Sequence, residues 1–193
     1  FRPDLELDDD VEVLEVGTDM PADRVARLVA ARFASGHGVV RIAGAADLAA
    51  KRLRTPLAPE VSFTDDPLRM LRAARFIAGY ELEPDPELVA AVRAHAHRLE
   101  IVSAERIRDE LDKLLVVRDP SAGLWFIVDT GLADHFLPEL AKMRLEQDPI
   151  HHHKDVLAHT IAVVAKTKPE RLVRLAALLH DVGKPKTRAF TDG

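Results

Sequence analysis

Two groups of residues in this sequence have the types and spacing to do chemistry. The first lies in SFTDDPLRMLRAARF, residues 62–76, where Asp65 and Asp66 precede a proline and Arg69, Arg72 and Arg75 follow at intervals of three. A carboxylate accepts hydrogen bonds and a guanidinium donates them. At about 100° per residue, Asp65, Arg69, Arg72 and Arg75 share one sector of a helix. Met70, Leu71, Ala74, Ile77 and Ala78 fall on the opposite side and face a core. Asp66 and Arg69 are three apart, so their side chains are neighbours at the helix start. Cytosine and adenine each offer an amino donor beside a ring-nitrogen acceptor, whereas guanine and uracil offer a carbonyl beside an N–H. One Asp and one Arg, fixed together, can therefore accept C and A and reject G and U, because rejection leaves polar groups unpaired. The plainer reading is that Asp66 caps the helix and the arginines are solvated. The residues alone leave both readings open.

The second group is rich in histidine. QDPIHHHKDVLAHT contains His151, His152, His153 and His159, and LLHDVGK contains His180, Asp181 and Lys184. Adjacent His and Asp on a helix can reach one divalent ion together with a His from a neighbouring helix. His151 to His153 also read as a polar loop entering a helix. Lys184 could meet a phosphate or be an exposed lysine after the helix.

The elements that must position these groups follow from composition and periodicity. The chain has 193 residues, 47% hydrophobic and 31% charged, which suits one or two globular domains with real cores. Aromatic residues make up only 5%, so the core is Ala, Leu and Val, a composition of packed helices. There is no cysteine, which excludes a disulfide framework and a Cys-based zinc site. No long apolar run and no signal-peptide pattern is present, so no membrane partner and a cytoplasmic location are expected. The net charge of −5 argues against broad nonspecific nucleic-acid binding, and no DNA partner is expected; a local basic face could still meet phosphates.

Residues 1–43 read as a small β–α–β-like element: VEVLEVG (11–17) alternates as a strand, ADRVARLVAARFAS (22–35) has helical spacing, and GVVRIAG (38–44) is a second strand. Helices then follow one another. They are expected at 46–54, from Asp66 as N-cap with Pro67 in the first helical position to a stop at Gly79, at 85–100, at 103–117, at 119–131, at 137–143, at 154–167 and at 169–182. In the helix opened by Ser103, Arg106 stands where a capping box would place Glu. The fold class is therefore mainly α, with a small α/β element at the N-terminus.

ADLAAKRLRTPLAPEVSFTDDPLRMLRAARF (46–76) resembles the end of the catalytic region and the start of the neck of bacterial class II CCA-adding tRNA nucleotidyltransferases, and SAERIRDELDKLL (103–115) resembles the neck helix that follows. DPSAGLWFIVDTGLADHFLPEL, EQDPIHHHKDVLAHT and LAALLHDVGKP are similar to actinobacterial members that carry an HD domain. The resemblance runs from residue 44 to 193. It implies an atypical segment at 1–43, a neck and body at 44–145 that bind tRNA and nucleotide, and the start of an HD-type helical domain at 146–193.

By this resemblance Asp66 and Arg69 template the incoming CTP or ATP, and Arg72 and Arg75 are structural or phosphate-facing. Asp65 stands where the family often has Glu. His159, His180 and Asp181 match the first three metal ligands of the HD phosphohydrolase superfamily, with a later Asp expected beyond Gly193, and Lys184 matches its Gly-Lys. The family's catalytic head carries a Gly-rich turn and an Asp-x-Asp pair that holds two magnesium ions. Asp8-Asp9-Asp10 lacks that turn and reads as a solvated charge run. The expectation is thus a fragment that keeps the nucleotide-selecting neck, has no catalytic residue of its own and does not add nucleotides alone. A metal-dependent phosphohydrolase and a noncatalytic tRNA-binding helical remnant are the other two readings.

Overall fold

The computed structural model describes residues 45–55, 58–144 and 155–187. The expected strands and helix before residue 44, the Asp8–Asp10 run and His151 to His153 lie outside these residues. The chain divides into two compact units, 1–50 and 51–193. In the first, the described element is a short helix, α1 (Ala45–Ala49). The helix expected over 46–54 therefore ends at Ala49.

The second unit holds both groups of interest. Lys51 adopts a left-handed backbone (φ 56°), and Arg52–Leu53 forms a strand, β1. It pairs in parallel with β2 (Glu83–Pro84). Periodicity could not reveal so short a ladder, because partners supplied later in the chain make it. The Glu83 N–H donates to the Lys51 carbonyl at 2.7 Å, and Arg52 forks onto the Asp85 carboxylate at 3.1 and 3.0 Å.

Helix α2 (Pro59–Asp65) starts with a proline in its first turn, where no backbone donor is needed, and buries Phe63 completely. It has no counterpart among the expected elements, being short and bracketed by prolines. Asp66 ends it in an extended conformation (φ −139°). A tight turn through Pro67 and Leu68 then winds into α3 (Arg69–Tyr80). Regular helix thus begins at Arg69, three residues after the expected cap. Asp66 still acts as one, because its Oδ1 accepts the Leu68 N–H at 3.3 Å. Gly79 does not stop the helix; Glu81 does, in a left-handed conformation (φ 55°) that returns its N–H to the Ile77 carbonyl.

Helix α3 is the central element, packed against α5 (Ala104–Leu115) and α6 (Ser121–Asp129). Met70 and Ala74 on its inner face are fully buried. Gly123 lets α6 come close, since a Cβ there would lie 2.5 Å from the Ala74 carbonyl oxygen. The segment expected as one helix over 85–100 is α4 (Pro86–His95) continued by a tighter 3₁₀ turn at Ala96–Ile101. Ser103 caps α5 as expected, its hydroxyl accepting the Arg106 N–H at 3.4 Å. After α6, Gly131 (φ 81°) turns the chain into a 3₁₀ segment, Leu132–His135, and then α7 (Pro138–Lys142).

Three further helices follow: α8 (Val156–Lys166), capped by the Asp155 carboxylate, α9 (Arg171–Leu179) and the short α10 (Lys184–Thr187). Helix α8 packs on α6, and α9 packs on both α8 and α5. The core joining them is aliphatic, with Leu88, Leu99, Leu114, Leu124, Leu157 and Leu178 buried. The fold is mainly α, as the composition indicated. Among the described residues no helix is long and apolar enough to cross a membrane.

Candidate nucleotide-reading turn and histidine cluster

Asp66 sits between two helices rather than on one, so its carboxylate projects at the junction of α2 and α3. Arg106 on α5 reaches it, and one Arg106 nitrogen donates to both oxygens at 3.2 and 3.1 Å. Arg69 turns elsewhere. Its guanidinium donates to the Ser62 carbonyl at 3.2 Å and pairs with Asp65 at 2.9 Å. Asp66 and Arg69 are therefore neighbours in one turn that do not pair with each other. Asp66 is about a fifth exposed and Arg69 about two fifths, so both can meet a ligand.

Arg72 and Arg75 point along α3 toward α5 and converge on Glu110. Arg75 Nε donates to Glu110 Oε2 at 3.0 Å, Lys113 donates to Oε1 at 2.9 Å, and Arg72 stands 3.7 Å away. Glu110 is only 3% exposed, so these are the groups that make its burial tolerable. Burial alone would push its carboxyl up; the Lys113 ammonium and the Arg75 guanidinium outweigh that together and hold it below the usual carboxylate range. Arg75 also lies over the Phe76 ring, 4.5 Å from its centre. Of the four residues singled out here, Asp66 and Arg69 face the open turn and Arg72 and Arg75 brace α3 against α5.

His159 comes from α8, and His180 and Asp181 follow α9. One ligand atom from each lies within 4.8 Å of the others. The His180 Nδ1 is 2.7 Å from the Ala177 carbonyl. A carbonyl only accepts, so Nδ1 carries the hydrogen and Nε2 faces the cluster. Nε2 stands 3.2 Å from Asp181 Oδ2, and His159 Nε2 is 4.0 Å from the same oxygen. Lys184 donates to that oxygen at 2.7 Å. The Asp181 side chain is only 8% exposed, so one buried carboxylate oxygen gathers two imidazoles and an ammonium. Two imidazole ring nitrogens and a carboxylate are a donor set that fits a divalent ion.

Arg106, Glu110 and Arg174 complete these arrangements, and sequence reasoning had not selected them as site residues. Arg106 did leave a signal, a cation at the capping-box position where Glu is usual. Glu110 left only its register on α5, four residues after Arg106. Arg174 is 1% exposed in α9. It donates to the carbonyls of Leu115, Val117, Arg118 and Thr167. Leu115 is the last residue of α5, Val117 and Arg118 lie in the loop after it, and Thr167 follows α8, so one guanidinium ties together the ends of two helices. Burial pushes its guanidinium down from the ordinary value, and Asp119 offsets part of that. Its position in the apolar run RLVRLAALL hides its role, because an arginine there looks like the polar face of the helix.

Residues 81–144 match the family model described as the probable RNA- and SrmB-binding site of polymerase A. Beyond that segment the chain is similar to curated tRNA nucleotidyltransferases and CCA proteins. It is 37% identical over 158 residues to the A-adding tRNA nucleotidyltransferase of Deinococcus radiodurans, covering 77% of this chain and 36% of that protein. It is 35% identical over 159 residues to the multifunctional CCA protein of Nitrosospira multiformis, covering 79% and 38%. A multifunctional CCA protein of Ralstonia nicotianae is 33% identical over 198 residues, covering 98% of this chain and 44% of the relative. The last match takes in most of residues 1–43. The chain spans about two fifths of the length of the curated relatives it matches.

Proposed function

We propose that this chain carries the nucleotide-selecting neck and the RNA-binding body of a CCA-adding tRNA nucleotidyltransferase. The observation that carries the proposal is the Asp66–Arg69 turn. Both side chains are partly open to solvent, each is held by a partner other than its neighbour, and the turn lies in a chain similar to proteins named for adding A or CCA. In this reading Asp66 accepts the amino group of cytosine or adenine, Arg69 donates to the adjoining ring nitrogen, and CTP and ATP are the nucleotides selected. Arg72 and Arg75 act through Glu110, keeping α3 in place. The body at 81–144 binds tRNA. Magnesium-dependent transfer itself belongs to an Asp-x-Asp head, so the chain alone selects and binds without joining nucleotides.

Two measurements test this. The chain is expected to bind a tRNA that lacks its 3′ CCA, with affinity that falls steeply as salt rises. It is expected to incorporate neither CMP nor AMP into that tRNA, with or without magnesium. Absence of tRNA binding at low salt refutes the RNA-binding body, and incorporation by the chain alone refutes the division of labour.

A second reading is favoured by the histidine cluster. We infer that His159, His180 and Asp181 hold a divalent metal, with Lys184 beside it for a phosphate. A metal there would supply Lewis acidity toward a phosphoester. The residues themselves orient the donors: the Ala177 carbonyl fixes His180, and burial removes competing water from Asp181. This makes HD-type phosphohydrolase chemistry a companion to the first reading.

A further inference from the structure

We propose that Arg106 is a positioning residue for nucleotide selection, holding the Asp66 carboxylate away from Arg69 and leaving it one acceptor site for a base. The inference rests on the nucleotide-reading role of Asp66 and Arg69 given above. A carboxylate offers about four acceptor sites. Asp66 spends two on Oδ1, which takes the Leu68 N–H at 3.3 Å and Arg106 at 3.2 Å. It spends one on Oδ2, which takes Arg106 at 3.1 Å. One site on Oδ2 remains, enough for a single amino hydrogen of cytosine or adenine.

Arg106 also settles a competition. Asp66 and Arg69 are three residues apart at a helix start, where opposite charges ordinarily pair. If they did, the reader would be satisfied by itself and would offer a base neither acceptor nor donor. The structure separates them by giving each a different partner. Arg69 has Asp65 and the Ser62 carbonyl, and Asp66 has Arg106 from another helix, 40 residues along the chain. Removing Arg106 frees Asp66 to pair with Arg69, three residues further along the chain. This also explains why an arginine occupies the capping-box position of α5. A Glu there would face the Asp66 carboxylate and repel it.

The test uses the full chain and two readouts. In the first, CTP and UTP are titrated into the protein and followed by NMR. Because the pair is partly solvated, the wild type is expected to favour CTP by roughly tenfold, the low end for an unmet hydrogen bond. In Arg106→Ala the ratio is expected to fall to within about twofold. Arg106→Lys keeps the charge on a shorter, non-planar head and is expected to fall between them. Where the wild type favours CTP, an Arg106→Ala ratio equal to wild type overturns the proposal.

The second readout needs no nucleotide. The Arg69 Nε–Hε resonance is expected to shift in Arg106→Ala as Asp66 turns to Arg69. That shift is expected to vanish in Asp66→Asn/Arg106→Ala, which has no charge to turn. A resonance that does not move in Arg106→Ala overturns the proposal. A wild type that shows no preference between CTP and UTP, but does show this shift, refutes the base-reading role and leaves the positioning role standing.

Discussion

Replacing Glu110 with Gln removes one buried charge and leaves its shape, and the cost can be worked from its partners. The carboxylate receives two short charge-assisted hydrogen bonds, from Arg75 at 3.0 Å and Lys113 at 2.9 Å. Breaking a fully buried ion pair costs about 3–5 kcal/mol, because the abandoned charge stays in the interior. Here the abandoned charges can reach water, since the Lys113 side chain is 57% exposed and Arg75 is 24% exposed. The Lys113 bond is therefore worth a surface value of about 0.5 kcal/mol. The Arg75 bond, more sheltered and better fixed, is worth about 1.5 kcal/mol. Glu110→Gln should thus cost about 2 kcal/mol, or about 6 °C in melting temperature for a unit of this size.

The pH dependence sharpens the test. Glu110 titrates below its ordinary value when folded. Its contribution is therefore fully present above the unfolded value of about 4.3 and is lost as pH falls through the folded value. Thermal and urea denaturation of wild type and Glu110→Gln should show the full gap at pH 7 and convergence in acid. A gap under about 0.5 kcal/mol at pH 7 would mean that aliphatic packing alone holds α3 to α5. A gap that persists undiminished in acid would assign the loss to something other than the charge.

Three other outcomes are expected. Gly123→Ala puts a Cβ 2.5 Å from the Ala74 carbonyl oxygen and 2.6 Å from Leu114 Cδ1, so α3 and α6 must part; urea denaturation should show a loss of about 2 kcal/mol, and a neutral variant would refute the close approach. Arg174→Met strips the donor from the carbonyls of Leu115, Val117, Arg118 and Thr167 and should cost about 3–4 kcal/mol by the same method; a loss under about 1 kcal/mol would show that water replaces the guanidinium there. Calorimetric titration with Mn²⁺ should detect binding that weakens at least tenfold in His180→Ala and in Asp181→Asn, and equal binding by all three proteins would refute the metal site.

How much of this was legible depends on where the determining partner lies in the chain. Helices α3, α5, α6 and α9 carry their own apolar stripes, so periodicity located them to within a few residues. The Ser103 cap of α5 was legible for the same reason, since donor and acceptor are three residues apart. Helix α2 and the β1–β2 ladder were not, because each is short and is stabilised by distant contacts: Phe63 entering the core, and Arg52 forking onto Asp85. The start of α3 was misread by three residues, because Asp66 serves two helices at once and a cap rule assigns it to one. At the candidate sites, Asp66, Arg69, His159, His180 and Asp181 could be singled out from their types and spacing. Those that hold them were not. Arg106 lies 40 residues from Asp66, and Arg174 lies more than 50 from the carbonyls at the end of α5.

The holding residues have one element in common. Helix α5 presents Arg106 to Asp66 near its first turn and Glu110 to Arg72 and Arg75 in its middle. Near its end, Asp112 pairs with Arg171 at 3.3 Å, and the carbonyl of its last residue, Leu115, receives Arg174. Both of those arginines belong to α9, the helix whose C-terminal end delivers His180 and Asp181. Twelve residues of α5 thus brace the Asp66–Arg69 turn at one end and the helix leading to His180 and Asp181 at the other. An exposed salt bridge such as Asp112–Arg171 adds little stability by itself. The buried members are different: Glu110 and Arg174 are each nearly inaccessible, and each is satisfied only when its neighbour helix sits in one position. Their value is therefore in register more than in net free energy. A sliding of α5 by one turn would take Glu110 from Arg75 and Leu115 from Arg174 together, leaving the carboxylate only Lys113 of its own helix, which is why α5 can fix the geometry of both candidate sites at once.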